Sequence, residues 1–294
     1  MARAVKVPKY YGILEGYPRL RRFFGRLSDY LALLRPFTLV APIAVGVFLS
    51  IASEGMTYTA LTKGVYMGIT MALAQACGQA MNQVADAELD KRAKPYRPIP
   101  SGRVTKEEAL GIAFLCALAA VGRAFTISLY FGLMTCLMLF FAVFYSLPPI
   151  SPRKVNPWLS LAWMSVSRGF IPIVAVMGPG AYRYGIIATI WTFGWQGTKD
   201  VPDVEADRAF GIKTIANTYG IKTLKALSAA STILILYFGV VLEKYTFLML
   251  VPLAIYGLVN YEKRWRGENT VAWAVFYTGL AMVPVAILTE ELLR

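Results

Sequence analysis

The chain has 294 residues, of which 57% are hydrophobic and 16% charged, and its formal net charge is +13. Soluble domains run near half apolar and a quarter charged, so this balance points to a polytopic membrane protein with no length left for a large soluble domain. It has no histidine, which excludes His-ligated zinc or haem, a Ser-His-Asp triad and any histidine general base.

Residues 1–35 are polar and basic, with no apolar run before Pro36, so they do not read as a signal peptide. Over 11–34, Arg19, Arg21, Arg22 and Arg26 interleave with Leu20, Phe23, Phe24 and Leu27. That pattern predicts an amphipathic helix lying on the membrane surface. Residues 36–294 then carry nine apolar spans, near 36–54, 60–84, 107–123, 126–147, 158–178, 183–199, 223–242, 245–260 and 270–289. Gly and Pro recur inside them, as membrane helices tolerate. Cys77, Cys116 and Cys136 fall in these stretches without a CxxC pair and read as small hydrophobes. The expected fold is therefore all-α: nine transmembrane helices in one bundle, capped by loops on one side.

Loop charge sets the orientation. With nine spans, the loops on the N-terminal side hold 24 of the 30 Lys and Arg, and the opposite side holds Lys63, Arg123, Arg183, Lys244 and Arg294. The positive-inside rule places the N-terminus in the cytoplasm and the C-terminus outside, in a cell membrane. It also accounts for the net charge without a nucleic acid, and nothing in the pattern calls for an obligate protein partner.

Acidic residues gather at two span ends on the cytoplasmic side. The first cluster is Asn82, Asp86 and Asp90, at spacings of four and four, and the second is Asp200, Asp203 and Asp207, at three and four. Each spacing places its set on one helix face, with Glu88 and Glu205 pointing elsewhere. Carboxylates that close repel one another and resist desolvation, so they call for cations. An all-oxygen set favours Mg²⁺, an ion usually shared between a few carboxylates and substrate phosphates. The flanking run from Lys91 to Arg103 carries Lys91, Arg97 and three prolines. It predicts a stiff loop whose cations contact phosphate oxygens. Arg35, Arg153 and Lys154 reach the same side. Arg168 sits inside a span, where a charge is costly and usually faces a polar cavity.

These motifs resemble those of the UbiA superfamily of intramembrane prenyltransferases. The first motif is matched by Asn82, Asp86 and Asp90, and the second by Asp200, Asp203 and Asp207. The run from Tyr96 to Arg103 is similar to the chlorophyll synthase and digeranylgeranylglyceryl phosphate synthase branches. The run from Lys199 to Thr214 is similar to homogentisate prenyltransferases. Gln83 and Ala206 depart from the commoner Asp and Gly without removing a metal-facing position.

The resemblance implies transfer of a prenyl group from a polyprenyl diphosphate to a lipophilic acceptor, an aromatic ring or a glyceryl phosphate lipid, in the bilayer. It implies Mg²⁺ held by the six motif residues, with Asp86, Asp90, Asp203 and Asp207 as catalytic residues. It implies substrate contacts from Arg35, Lys91, Arg97, Tyr145, Arg153, Lys154, Arg168 and Lys199. Phe140, Phe141 and Phe144 are further candidates for a tail channel. Two rival readings are open to discrimination. A cation-coupled transporter would carry mid-span acids and hydropathy repeats. A CDP-alcohol phosphotransferase would carry a DGxxAR-type segment, which neither cluster shows.

Overall fold

The computed structural model describes residues 25–266 and 269–293. The predicted surface helix therefore lies partly outside the described residues. Its described end is α1, Arg26–Leu34. The chain then turns through Arg35, which is left-handed at φ 51°, into α2, Pro36–Glu54, with Pro36 in the first turn, where no amide hydrogen is needed. Next come α3 (Tyr58–Ala85), the short α4 (Ala87–Ala93), α5 (Lys106–Ile127), α6 (Leu129–Phe144) and the single turn α7 (Pro152–Val155). Then α8 runs from Pro157 to Met177 with a π-turn at Val166–Phe170. It is followed by α9 (Tyr182–Trp195), a 3-10 segment at Gln196–Asp203, α10 (Val204–Ala209), α11 (Ile215–Thr218) and α12 (Ile221–Val241). The last elements are α13 (Leu250–Val259), preceded by a 3-10 turn, and α14 (Val271–Leu292). A two-stranded antiparallel ribbon, Arg264–Arg266 with Asn269–Thr270, leads into α14 and is the one sheet among the described residues.

Local chemistry starts these helices where they start. Thr57 accepts from Ala60 N, Thr105 and Glu108 form a capping box on α5, and Asn156 accepts from two backbone N–H groups of α8.

Five helices, α2, α5, α8, α12 and α14, are long and apolar enough to cross a membrane. Their outward faces present large apolar side chains such as Phe114, Leu118, Ile233 and Val240, so this is a multi-pass membrane protein. The other apolar segments are also helical but differ in kind. At 16 residues α6 is about 24 Å long, short of a ~30 Å hydrocarbon core. At 14 residues α9 is shorter still, because the chain tightens to 3-10 at Gln196 instead of running on to Lys199 as expected. The 28-residue α3 has the length but carries Gln75, Gln79 and Asn82 along its inner side.

Two close approaches hold the bundle around that inner side. A Cβ on Gly46 of α2 would lie 2.4 Å from Gly68 N and 2.5 Å from Gly64 O of α3, so these backbones touch. Across the molecule Trp191 and Trp195 stack at 5.2 Å, fully buried. Gly279 of α14 leaves the room for Trp191, since its Cβ would fall 1.9 Å from that ring.

Candidate active site

The two acidic motifs open onto one cavity of about 280 Å³. All six motif residues line it, together with Arg35, Lys94, Arg97, Tyr145, Arg153, Arg168 and Lys199. Its far wall is apolar: Met71, Ala74, Gly78, Met138, Ala142 and Met164. Phe37, Trp273 and Tyr277 lie on the side where α2 meets α14.

The first motif does not sit on one unbroken helix. The chain leaves α3 at Ala85, Asp86 takes φ −94° and ψ 5°, and α4 begins at Ala87. The break still leaves all three side chains on the cavity. Asn82 Nδ2 donates to Asp86 Oδ2 (3.0 Å), and Ser146 Oγ donates to Asn82 Oδ1 (2.7 Å). Arg153, in α7, holds Asp86 with both arms of its guanidinium: Nη1 meets Oδ2 at 2.9 Å and Nη2 meets Oδ1. Such a charge-assisted fork is stronger and more directional than a neutral hydrogen bond. Arg97 Nη1 donates to Asp90 Oδ2 at 2.5 Å, with both side chains buried.

The second motif follows the 3-10 segment after α9. Lys94 crosses from the first loop to Asp203, Nζ to Oδ2 at 2.6 Å. Lys199 stands 3.8 Å from Asp200 and 5.4 Å from the Tyr145 ring. Burial, helped by Asp203, raises the Asp200 pKa. Burial, with Asp200 and Asp203 beside it, lifts Asp207 to about 7.

Arg168 is carried by the π-turn of α8, where the extra residue re-aims the side chain toward the cavity. Its Nη1 donates to Gln196 Oε1 at 3.2 Å. Two expected residues are elsewhere. Lys91 points outward to Glu88 at 3.0 Å, and Lys154 is exposed; neither lines the cavity. Phe140, Phe141 and Phe144 are absent from the lining too; Phe140 and Phe141 pack on Trp163 instead. Sequence reasoning passed over Lys94, Ser146, Gln196 and Tyr277. Only Lys94 carried a signal, its place in the basic run.

The donor set is entirely oxygen and suits a hard divalent ion. Asp90 Oδ1 is buried without a hydrogen-bond partner, a lone pair directed at no protein donor. Among the described residues no three carboxylates converge on one point. The acids hold Arg97, Arg153 and Lys94 instead, and an ion here would need a ligand from the substrate to complete its shell.

The model of the UbiA prenyltransferase family matches residues 39–283. A probable homogentisate phytyltransferase 2 of Oryza sativa is 29% identical over 53% of this chain and 46% of its own length. A digeranylgeranylglyceryl phosphate synthase of Korarchaeum cryptofilum is 34% identical over 49% and 52%. The chain thus spans about half the length of these two. The bacteriochlorophyll synthase 34 kDa chain of Chloroflexus aurantiacus is 27% identical over 71% and 69%. In fold, a UbiA homolog from Archaeoglobus fulgidus bound to GPP and Mg²⁺ aligns with TM-score 0.67 at 20% identity, covering 90% of this chain and 99% of that one.

Proposed function

The chain belongs to the UbiA prenyltransferase family, and from that premise we propose that it transfers a prenyl group from a polyprenyl diphosphate to a lipophilic acceptor within the membrane. The observation that carries this reading is the single cavity: two acidic motifs and their cations at one end, a methionine- and alanine-lined wall at the other. A diphosphate with an isoprenoid tail has the same division of charge and grease.

Asn82, Asp86, Asp90, Asp200, Asp203 and Asp207 would hold Mg²⁺, the ion named with the Archaeoglobus neighbour. The ion supplies positive charge that neutralises the diphosphate and stabilises it as a leaving group. Arg97, Arg153 and Lys94 each present further donors beside those acids, and they bind the phosphate oxygens and orient the reacting C–O bond. Arg168 and Lys199 extend the positive wall, and Arg35 closes it at the entrance to α2. Cleavage of the C–O bond sends its electron pair to the departing diphosphate and leaves an allylic carbocation-like species, which the acceptor's carbon or hydroxyl oxygen captures as it gives up its proton to the released diphosphate or to solvent. The apolar wall and the loops excluding bulk water protect that species from quenching. Departure of the leaving group drives the step.

The same reading places all nine apolar segments in one bundle, with the N-terminus and the site on the cytoplasmic side and the C-terminus outside. Support comes from the helical state of every one of those segments and from the basic loops around the cavity mouth.

Purified protein incubated with labelled geranylgeranyl diphosphate and Mg²⁺ tests the activity, using a panel of acceptors that includes a geranylgeranylglyceryl phosphate and homogentisate. Label should move into one acceptor class. Intact diphosphate in every reaction would contradict the proposal.

A further inference from the structure

Helix α1 precedes the family-matched region, yet it is built into the site's mouth. Asp29, on its inner face, is 2% exposed. It accepts from Arg103 Nη1 at 2.7 Å. Two further contacts of that guanidinium lie inside the 94–103 loop: Nε donates to Ser101 Oγ (2.8 Å) and Nη2 to Tyr96 O (2.5 Å). Arg103 N also donates to Pro98 O (3.0 Å), beside Arg97.

The loop is already closed by its own hydrogen bonds, including Ser101 N to Arg97 O at 3.0 Å. Asp29 is therefore not needed to shape it. What Asp29 adds is a fixed point outside the loop. That point is itself anchored twice, by Gln83 of α3, which donates to Leu33 O (2.5 Å), and by Tyr30 OH, which donates to Glu108 (3.1 Å). Gln83 neighbours Asn82 of the first motif. A buried carboxylate is expensive unless it is paired, so such a contact is not incidental packing.

We infer that Asp29 is a positioning residue: through Arg103 it sets the height of the loop that brings Lys94 and Arg97 to the cavity. The inference rests on the proposed function for what Lys94 and Arg97 bind. It predicts that α1, whose residues are absent from the cavity lining, tunes affinity for the diphosphate while touching no substrate itself.

The test is equilibrium binding of geranylgeranyl diphosphate, with Mg²⁺, to the full chain in detergent, alongside thermal melting. Asp29→Asn keeps the shape and removes the charge, and affinity should fall roughly tenfold, the usual scale for losing the partner that orients a contacting residue. Arg103→Lys, which loses the fork but keeps the charge, should fall by a similar factor. Asp29→Glu should recover part of the loss. In a background carrying both Lys94→Met and Arg97→Met, Asp29→Asn should cost little more, because all three act on the same contacts. A lowered melting temperature with wild-type affinity in both Asp29→Asn and Arg103→Lys would overturn the inference. So would an equal loss with and without Lys94 and Arg97. If the wild-type chain itself fails to bind, the reading of the whole site falls with it; wild-type binding that Asp29→Asn leaves untouched sinks this inference alone.

Discussion

Asp86 and Asp203 occupy equivalent places in their motifs but stand in unequal surroundings. Asp86 is the partner of a buried arginine fork. Asp203 is 25% exposed and bonded to one flexible lysine. Asp203→Ala should therefore abolish prenyl transfer while the protein melts within a few degrees of wild type. Asp86→Ala should abolish it too, but at a further cost of about 3–5 kcal/mol, because Arg153 is left buried without its counter-ion. Activity assays paired with melting curves separate the two. If Asp203→Ala keeps turnover, its role as a ligand is wrong. Asp207 adds a pH dependence. Its carboxyl titrates near 7 because of burial and its acidic neighbours, and a proton competes with a metal for the same oxygens. Affinity for Mg²⁺ should rise as pH rises from 6 to 8 and flatten above. An affinity independent of pH would contradict that. At this scale the sequence shows residue type better than direction. Six motif residues read from their spacing all reach the cavity. Lys91 and Lys94 are chemically alike and three positions apart, and nothing in the run says that Lys94 turns inward while Lys91 turns out.

Elements carry the same lesson in another form. The spacing of four and four in the first motif suggests one continuous helix through Asp90, but the helix breaks at Asp86. No Pro or Gly marks the break, so local propensity gives no warning. The run of prolines from Pro95 to Pro100 does announce itself, and the stretch is folded by turns, as expected. The packing of α2 on α3 depends on small residues, and their role is visible only when both helices are present. A Cβ on Gly46 meets backbone atoms that cannot move aside. Gly46→Ala should cost about 1–3 kcal/mol by overpacking, read as a clear drop in melting temperature in detergent. Gly111→Ala is the control: that position faces open space, and a slightly better helix former should leave stability unchanged or raise it. Equal effects at both would show that the α2–α3 contact is not close.

For the whole molecule, class and orientation come from different signals. Apolar content and span length identify the membrane protein, and five helices meet the length and hydropathy of a crossing segment. The helices around the cavity are harder to recognise, because lining a polar site takes Gln75, Gln79 and Asn82 out of the apolar count. Orientation rests on loop charge. With the native cysteines removed, Arg92→Cys and Glu205→Cys, both exposed, should label from the same side of sealed vesicles. Labelling from opposite sides would separate the motifs and end the shared-site account. The most direct measurement of that account is the binding of geranylgeranyl diphosphate to the purified chain with Mg²⁺ and with excess EDTA. One cavity holding two carboxylate clusters predicts tight binding with the metal, lost in EDTA, and lost again in Asp203→Ala with the metal present. Equal affinity with and without the metal would contradict it.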